Sequence, residues 1–355
     1  MSEHESFRAT AYLRRHSTCL KILLIFLSVG IPLIILYSLY PLSFDKTFNG
    51  RAYYLFFVWL VVLEFALDWD KYKSETSRMA SKRTFAFGLA LLLPTGYVIA
   101  SNIFGFNAAI MDFFRMFGVI SPWLDNTPLA IEYIVFAVLF ALIFSFAYKL
   151  KGLSDFSLSI ALLGVVGAIH TINILYPYGG FTPFQILVPI TAGLSADFLN
   201  LMGYQATLLL GSGSLTPTLV IRDSTAFFRG EIAWPCAGVE SLLLYTIVML
   251  LFLKKSDIRR LHKVVYFVVG AAVTYFINIL RIATIFVIGL NKGDVWAFHD
   301  YWGQLYSAVW IVSYPLIIIG SRTLWNKYKE HILWRKYKDA TVTAKSGRLE
   351  PRSAN

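Results

Sequence analysis

Eight stretches of the chain, at about 20–41, 53–69, 84–104, 129–148, 157–176, 237–253, 264–290 and 304–321, are predominantly apolar and long enough to cross a bilayer. A spanning helix needs roughly 20 such residues, and a lipid interior offers no partner for a backbone N–H or C=O, so each segment must satisfy its own. Hydrophobic residues make up 57% of the chain and charged ones only 15%, more apolar surface than a soluble domain hides. The expected fold is therefore an all-α polytopic membrane protein of about eight transmembrane helices. Trp and Tyr near the ends of these runs suit a membrane interface. The net charge of +11 is spread between the apolar runs rather than gathered in a soluble basic module, so it reads as a topology signal and no nucleic-acid partner is expected. The first run follows Arg14, Arg15 and His16, and no small-residue cleavage site comes after it. It reads as an uncleaved anchor.

A ninth run, 181–203, carries Pro183, Pro189, Gly193, Asp197 and Asn200. Charge decides how to treat it. With the N-terminus cytoplasmic and this run not crossing, 25 Lys and Arg fall on the inner side and 6 on the outer, and Arg281 lies inside a helix. If the run crosses, the loop KKSDIRRLHK (254–263) lands outside, against the positive-inside rule. The expectation is a re-entrant or interfacial helix on the outer face. Segment 204–235, with its turn residues and short β-like runs, is expected to form a short extracytoplasmic flap. The chain then divides into a cytoplasmic N-tail (1–19), a five-helix membrane region (20–176), a region of outer helix, flap and three transmembrane helices (177–325), and a basic, partly disordered cytoplasmic tail (326–355) on acidic lipid.

This topology gathers three chemically able side chains on one side. Cys236 precedes the sixth run, Arg281 lies in the outer half of the seventh, and His299 is in the loop after it. Cys19 sits at the inner end of the first run, so the two cysteines cannot pair and Cys236 is expected to be a free thiol. A cysteine attacks as thiolate, and its pKa must fall for that. Pro235 favours a first helical position, which puts Cys236 in the first turn near unpaired N–H groups. Gly238 allows close backbone approach. Glu240, four residues on, shares that helix face and calls for a cation, for which Arg281 is the natural candidate. Thr274, Asn278, Arg281 and Thr284 form one stripe on the seventh run. An arginine this deep costs about 2.5–3.5 kcal/mol on insertion scales and usually has a task, such as holding an oxyanion or carboxylate. A histidine takes a proton from a thiol and returns it to a leaving amine. Each of the three also has a plain reading: an inert thiol, a charge-paired arginine, an interfacial histidine. Glu64, Glu132 and His170 read as buried, hydrogen-bonded groups.

PCAGVES (235–241), then NILR (278–281), then HDYWG (299–303) resemble the exosortase/archaeosortase family, which joins C-[SAT]-G, N-x-x-R and H-x-x-x-G in that order. The likeness extends over about residues 183–315, with residues 1–150 similar only in hydropathy. It implies a membrane-embedded cysteine transpeptidase or protease with Cys236 as nucleophile, Arg281 and His299 as catalytic partners, and Asn278 and Gly303 in supporting positions. Bacterial members carry a basic residue where Glu240 stands, which tilts the likeness toward archaeal members. The implied substrates are surface proteins with a C-terminal tail made of a short motif, one transmembrane helix and a basic end. The acyl group would pass to an amine or lipid-linked acceptor, or to water. No cofactor or metal is implied, and no C-x-x-C or H-E-x-x-H pattern is present. The rivals are a transporter with Arg281 and Glu240 as solute ligands, and a non-catalytic assembly factor of the same fold.

Overall fold

The computed structural model describes residues 3–46, 49–67, 69, 81–119, 121, 123–176, 183–209 and 216–346. It is helical almost throughout. In chain order the helices are α1 (Glu3–Leu39), α2 (Ala52–Leu67), α3 (Ser81–Asn102), α4 (Phe106–Met116), α5 (Thr127–Asp155), α6 (Ser157–Leu175), α7 (Leu187–Leu201), α8 (Val239–Lys255), α9 (Arg260–Leu290) and α10 (Gly303–Ser346). Among the described residues, seven helical segments are long and apolar enough to cross a membrane: Cys19–Leu39, Lys82–Asn102, Leu124–Asp155, Ser157–Leu175, Phe184–Leu201, Arg260–Leu290 and Tyr306–Lys329. Six of these coincide with expected spans. The two other expected spans are α2 and α8, of 16 and 17 residues, or about 24–26 Å at 1.5 Å per residue. The protein is an all-α, multi-pass membrane protein.

The chain divides into two compact units, Met1–Ala308 and Val309–Asn355. In the first, α5 packs along α6, α2 packs on α6, and α3 lies against both α1 and α5. Lipid tails are as apolar as leucine, so van der Waals fit rather than hydrophobic transfer holds such helices together. Stacked rings supply much of that fit here. Tyr54 stacks on Tyr133 at 4.5 Å, Phe57 on Phe140 at 4.8 Å and Phe144 on Phe156 at 4.0 Å.

The buried carboxylates of this bundle find hydrogen-bond donors within it. The Arg51 Nε and Nη2 donate to the two carboxylate oxygens of Glu132, both at 2.9 Å, and the Tyr54 hydroxyl adds a third bond at 3.1 Å. Glu132 is thus the buried, bonded group its sequence context suggests. Glu64 accepts from the Ser159 hydroxyl. His170 differs from that expectation: it is buried, and neither ring nitrogen has a hydrogen-bond partner among the described residues.

Part of the run 181–203 lies outside the described residues. The remainder is a 3-10 turn (Pro183–Ile186) leading into α7. Phe184, at its start, packs on Trp234 at 5.6 Å, and α7 also packs on the strand that follows it. That strand opens a three-stranded antiparallel sheet, β1 (Gln205–Leu209), β2 (Thr218–Arg222) and β3 (Phe227–Glu231), in sequential order. The β2–β3 register pairs Thr218 with Glu231 and Arg222 with Phe227. The turn between them is pinned by the exposed Asp223, whose carboxylate accepts from the Thr225 and Ala226 N–H groups and the Thr225 hydroxyl, which hold it below the usual carboxylate range. The expected flap is thus a small sheet. It packs on α9 through Phe228 and Phe286, whose rings meet edge-on at 5.4 Å.

An amphipathic helix, α4, follows Gly105 between two expected spans, its 11 residues too few to register as a span in the sequence. The basic tail is helical as far as Ser346, since its Lys, Arg, Glu, Leu and Ala residues are good helix formers that continue α10 without a break signal, and residues 347–355 lie outside the described residues. Within the second unit, Trp310 and Tyr314 pack together, rings 4.8 Å apart.

Candidate active site

A cavity of about 770 Å³ opens where α8, α9, β3 and the segment 291–302 meet. Its volume lies in the range of ligand pockets. Cys236, Glu240, Asn278, Arg281 and His299 all line it. Both cysteines of the chain are free thiols, and Cys236 is half-buried.

The thiol rides on a single 3-10 turn, Trp234–Ala237, rather than on the first turn of a helix. Trp234, 1% exposed, anchors that turn in the core formed by α7 and the sheet. Gly238 ends it with φ +85°, and α8 begins only at Val239. The expected placement of Cys236 among first-turn N–H groups is therefore corrected. Its own N–H donates back to Ala233 O at 3.0 Å. The shared helix face expected for Cys236 and Glu240 is also lost, because the left-handed Gly238 lies between them. The chain bend, not helical periodicity, brings both into one cavity.

Asn278 explains why residue 238 is a glycine. Its side chain Nδ2 donates to Cys236 O at 2.9 Å, holding the turn against α9. A Cβ on residue 238 would come within 3.1 Å of that same amide, in a backbone region that costs other residues about 1–2 kcal/mol. Of the polar stripe expected on α9, the two threonines hydrogen-bond within their own helix, Thr274 to Gly270 O and Thr284 to Leu280 O. Asn278 and Arg281 instead reach out of α9.

Arg281 is 8% exposed, and its Nη2 donates to the backbone oxygen of His299 at 3.0 Å. That oxygen belongs to a π turn, Phe298–Trp302, which follows a short helical turn capped by Asp294. The His299 ring packs against Trp296 at 5.7 Å. Gly303 makes room for the guanidinium: a Cβ there would lie 2.6 Å from Arg281 Nε and 3.0 Å from Phe298 O.

The hydrogen bond to Glu240 comes from Tyr53 of α2, at 3.1 Å, whereas Arg281 had been the expected partner. Arg281 still attracts the Glu240 carboxylate through its charge. Burial pushes the Cys236 thiol above its ordinary value, and Glu240 pushes the same way. The Arg281 guanidinium and the backbone hydrogen bond at Ala233 oppose them.

Several wall residues had no mark in the sequence. Trp123 and Asn173 come from the first half of the chain, and Arg229, Glu231, Asp294 and Trp296 also line the cavity. Among the described residues, no cluster of His, Cys, Asp and Glu has the makings of a metal site.

These features define a class: a multi-pass membrane protein whose cavity combines a half-buried thiol with a guanidinium and an imidazole. The family model described as "Transmembrane exosortase (Exosortase_EpsH)" matches residues 48–314, about three quarters of the chain. The chain belongs to the transmembrane exosortase family, and with it to the membrane transpeptidases of protein sorting. The match begins before α2, so the likeness reaches well ahead of residue 183. No curated protein and no solved structure matches the chain.

Proposed function

We propose that this protein cleaves the C-terminal sorting tails of exported surface proteins through a Cys236 thioester and passes the acyl group to an amine or lipid-linked acceptor, or to water. The observation that carries this reading is the common cavity lined by Cys236, Arg281 and His299. The Cys236 thiol gives its proton to the His299 imidazole, and the sulfur attacks the scissile carbonyl. Arg281 holds the oxyanion that forms. The C–N bond breaks, the leaving amine takes the proton from His299, and an acyl thioester remains. The acceptor's nucleophile then attacks that thioester, its proton passes through His299 to the departing thiolate, and the free thiol returns.

The same reading places both termini in the cytoplasm and the cavity at the outer face of the cell membrane, supported by the 25 to 6 split of basic residues. The tail's spanning helix would lie beside the bundle with its basic end inside, which leaves its short motif level with Cys236. The catalytic region spans about 177–325, and Asn278, Gly238 and Gly303 hold its geometry.

Gly303→Ala tests the Arg281 assignment without touching a charge. The added methyl displaces the guanidinium, and a misplacement of 1 Å at a catalytic group costs about 10²-fold. The expected result is a fall of that order in kcat with little change in KM, measured on a tailed substrate in detergent.

The thioester itself is the direct test. Purified full-length protein, incubated with a tailed surface protein from the same genome, should accumulate an adduct on Cys236 that hydroxylamine releases and mass spectrometry locates. Processing that continues after Cys236 is fully alkylated, with no adduct at any time, would sink the proposal.

A further inference from the structure

Glu240 stands in two walls. It lines the Cys236 cavity, and behind that cavity it borders a small void together with Tyr53 and His170. Its Oε2 accepts the Tyr53 hydroxyl from 187 positions earlier in the chain. Tyr53 is 3% exposed, so its ring is fixed by packing. Among the described residues, the other carboxylate oxygen of Glu240 has no hydrogen-bond partner. His170, 2% exposed, meets Tyr133 edge-on at 5.5 Å and backs the pair without bonding to it. The orientation of the carboxylate therefore depends on one phenolic hydroxyl supplied by α2.

That orientation matters because Glu240 and the Cys236 thiol both sit within the influence of Arg281. A carboxylate free to turn onto the guanidinium would absorb its charge. A carboxylate held back leaves the charge of Arg281, whose Nη2 is bonded to the His299 oxygen, to act on the sulfur.

We propose that Tyr53 is a positioning residue of the active site: its hydroxyl pins the Glu240 carboxylate in the cavity wall and so reserves the Arg281 guanidinium for Cys236. This rests on Cys236 being the nucleophile. The other charged or titratable groups around the cavity are Arg229 and Glu231 on β3 and Asp294 and His299 in the segment 291–302. Helix α6 brings His170, beside the apolar Val166 and Ile169, to the Tyr53–Glu240 pair, and α5 brings the neutral Tyr133 hydroxyl. Among the described residues of α7, no charged side chain lines the cavity. The Tyr53 hydroxyl itself donates to Glu240, and Tyr133 meets only the Tyr53 backbone, so removing that hydroxyl reaches the thiol through Glu240.

The test is site-resolved alkylation of the full chain in detergent with iodoacetamide across a pH series. Exposed Cys19 serves as the reference within the same molecule. Tyr53→Phe should move the Cys236 profile to higher pH and slow its alkylation at neutral pH by about three- to tenfold, a shift approaching one unit, with Cys19 unchanged. Glu240→Ala should move the profile the other way, because a like charge is gone. Adding Tyr53→Phe to Glu240→Ala should then change nothing further. Glu240→Gln keeps the side chain's size and should show the same downward move if the alanine variant does not fold. A Tyr53→Phe shift to lower pH, a shift of equal size with and without Glu240→Ala, or no shift at all, overturns the proposal. Alkylation needs no turnover, so these outcomes are distinct from failure of the nucleophile assignment, which Cys236→Ser tests by loss of processing.

Discussion

Cys236→Ser should leave a folded protein that no longer processes tailed substrates, with turnover lowered by at least about 10⁴-fold. The hydroxyl is close to the thiol in size, so the 3-10 turn, its Asn278 bond and the Trp234 anchor all survive. What is lost is ionisation. A thiol held up by burial can still become a thiolate beside Arg281, whereas a serine hydroxyl cannot do so near neutral pH without a much stronger base. The measurement is cleavage of a tailed substrate by the purified variant, with thermal unfolding to show that the fold persists. Wild-type rates in a folded Cys236→Ser protein would remove the enzyme reading and return Arg281 and Glu240 to the solute-ligand alternative.

The largest effect on stability should come from the opposite half of the bundle. Glu132→Ala removes one partner of a bidentate ion pair in which Arg51 and Glu132 are 8% and 2% exposed. The stranded guanidinium then has no counter-charge in a buried setting, with only the Ser43 hydroxyl and the Tyr40 ring beside it, and a loss of about 3–5 kcal/mol is expected. The Tyr54 hydroxyl loses its acceptor as well. Denaturant unfolding in micelles reads the cost. Replacing both members together with apolar residues of similar size, Arg51→Met with Glu132→Leu, should cost far less, since no charge is left behind. If the single and double changes cost the same, the pair is not the source of the stability.

Much of the fold was legible because lipid imposes one demand on every spanning segment, and the apolar runs answer it openly. What escaped was shorter or amphipathic. Helix α4 has too few residues to cross, and its pattern hides in a connecting stretch. In the candidate site, the order of Cys236, Asn278, Arg281 and His299 could be read because short local motifs mark each one. The bend at Gly238 could not, since a glycine after a cysteine looks the same whether it eases a close approach or turns the chain left-handed. Tyr53 was invisible for a different reason. It is one of 20 tyrosines, its neighbours are apolar, and its partner lies 187 positions away. Only tertiary packing brings the two together. The tilt toward Arg281 as the mate of Glu240 followed from charge alone, and a neutral hydroxyl already in place answered the carboxylate's need at lower desolvation cost.

The link from α2 to α8 bears on how such a chain can be divided. Because Trp123 and Asn173 furnish walls of the chamber that holds the sulfur, and Tyr53 bonds to the Glu240 carboxylate in another wall, the leading helices are not a detachable mooring for a self-sufficient catalytic remnant. A working minimal version of this protein must keep both ends of that bond, and natural variation in the early helices bears on chemistry as much as on anchorage.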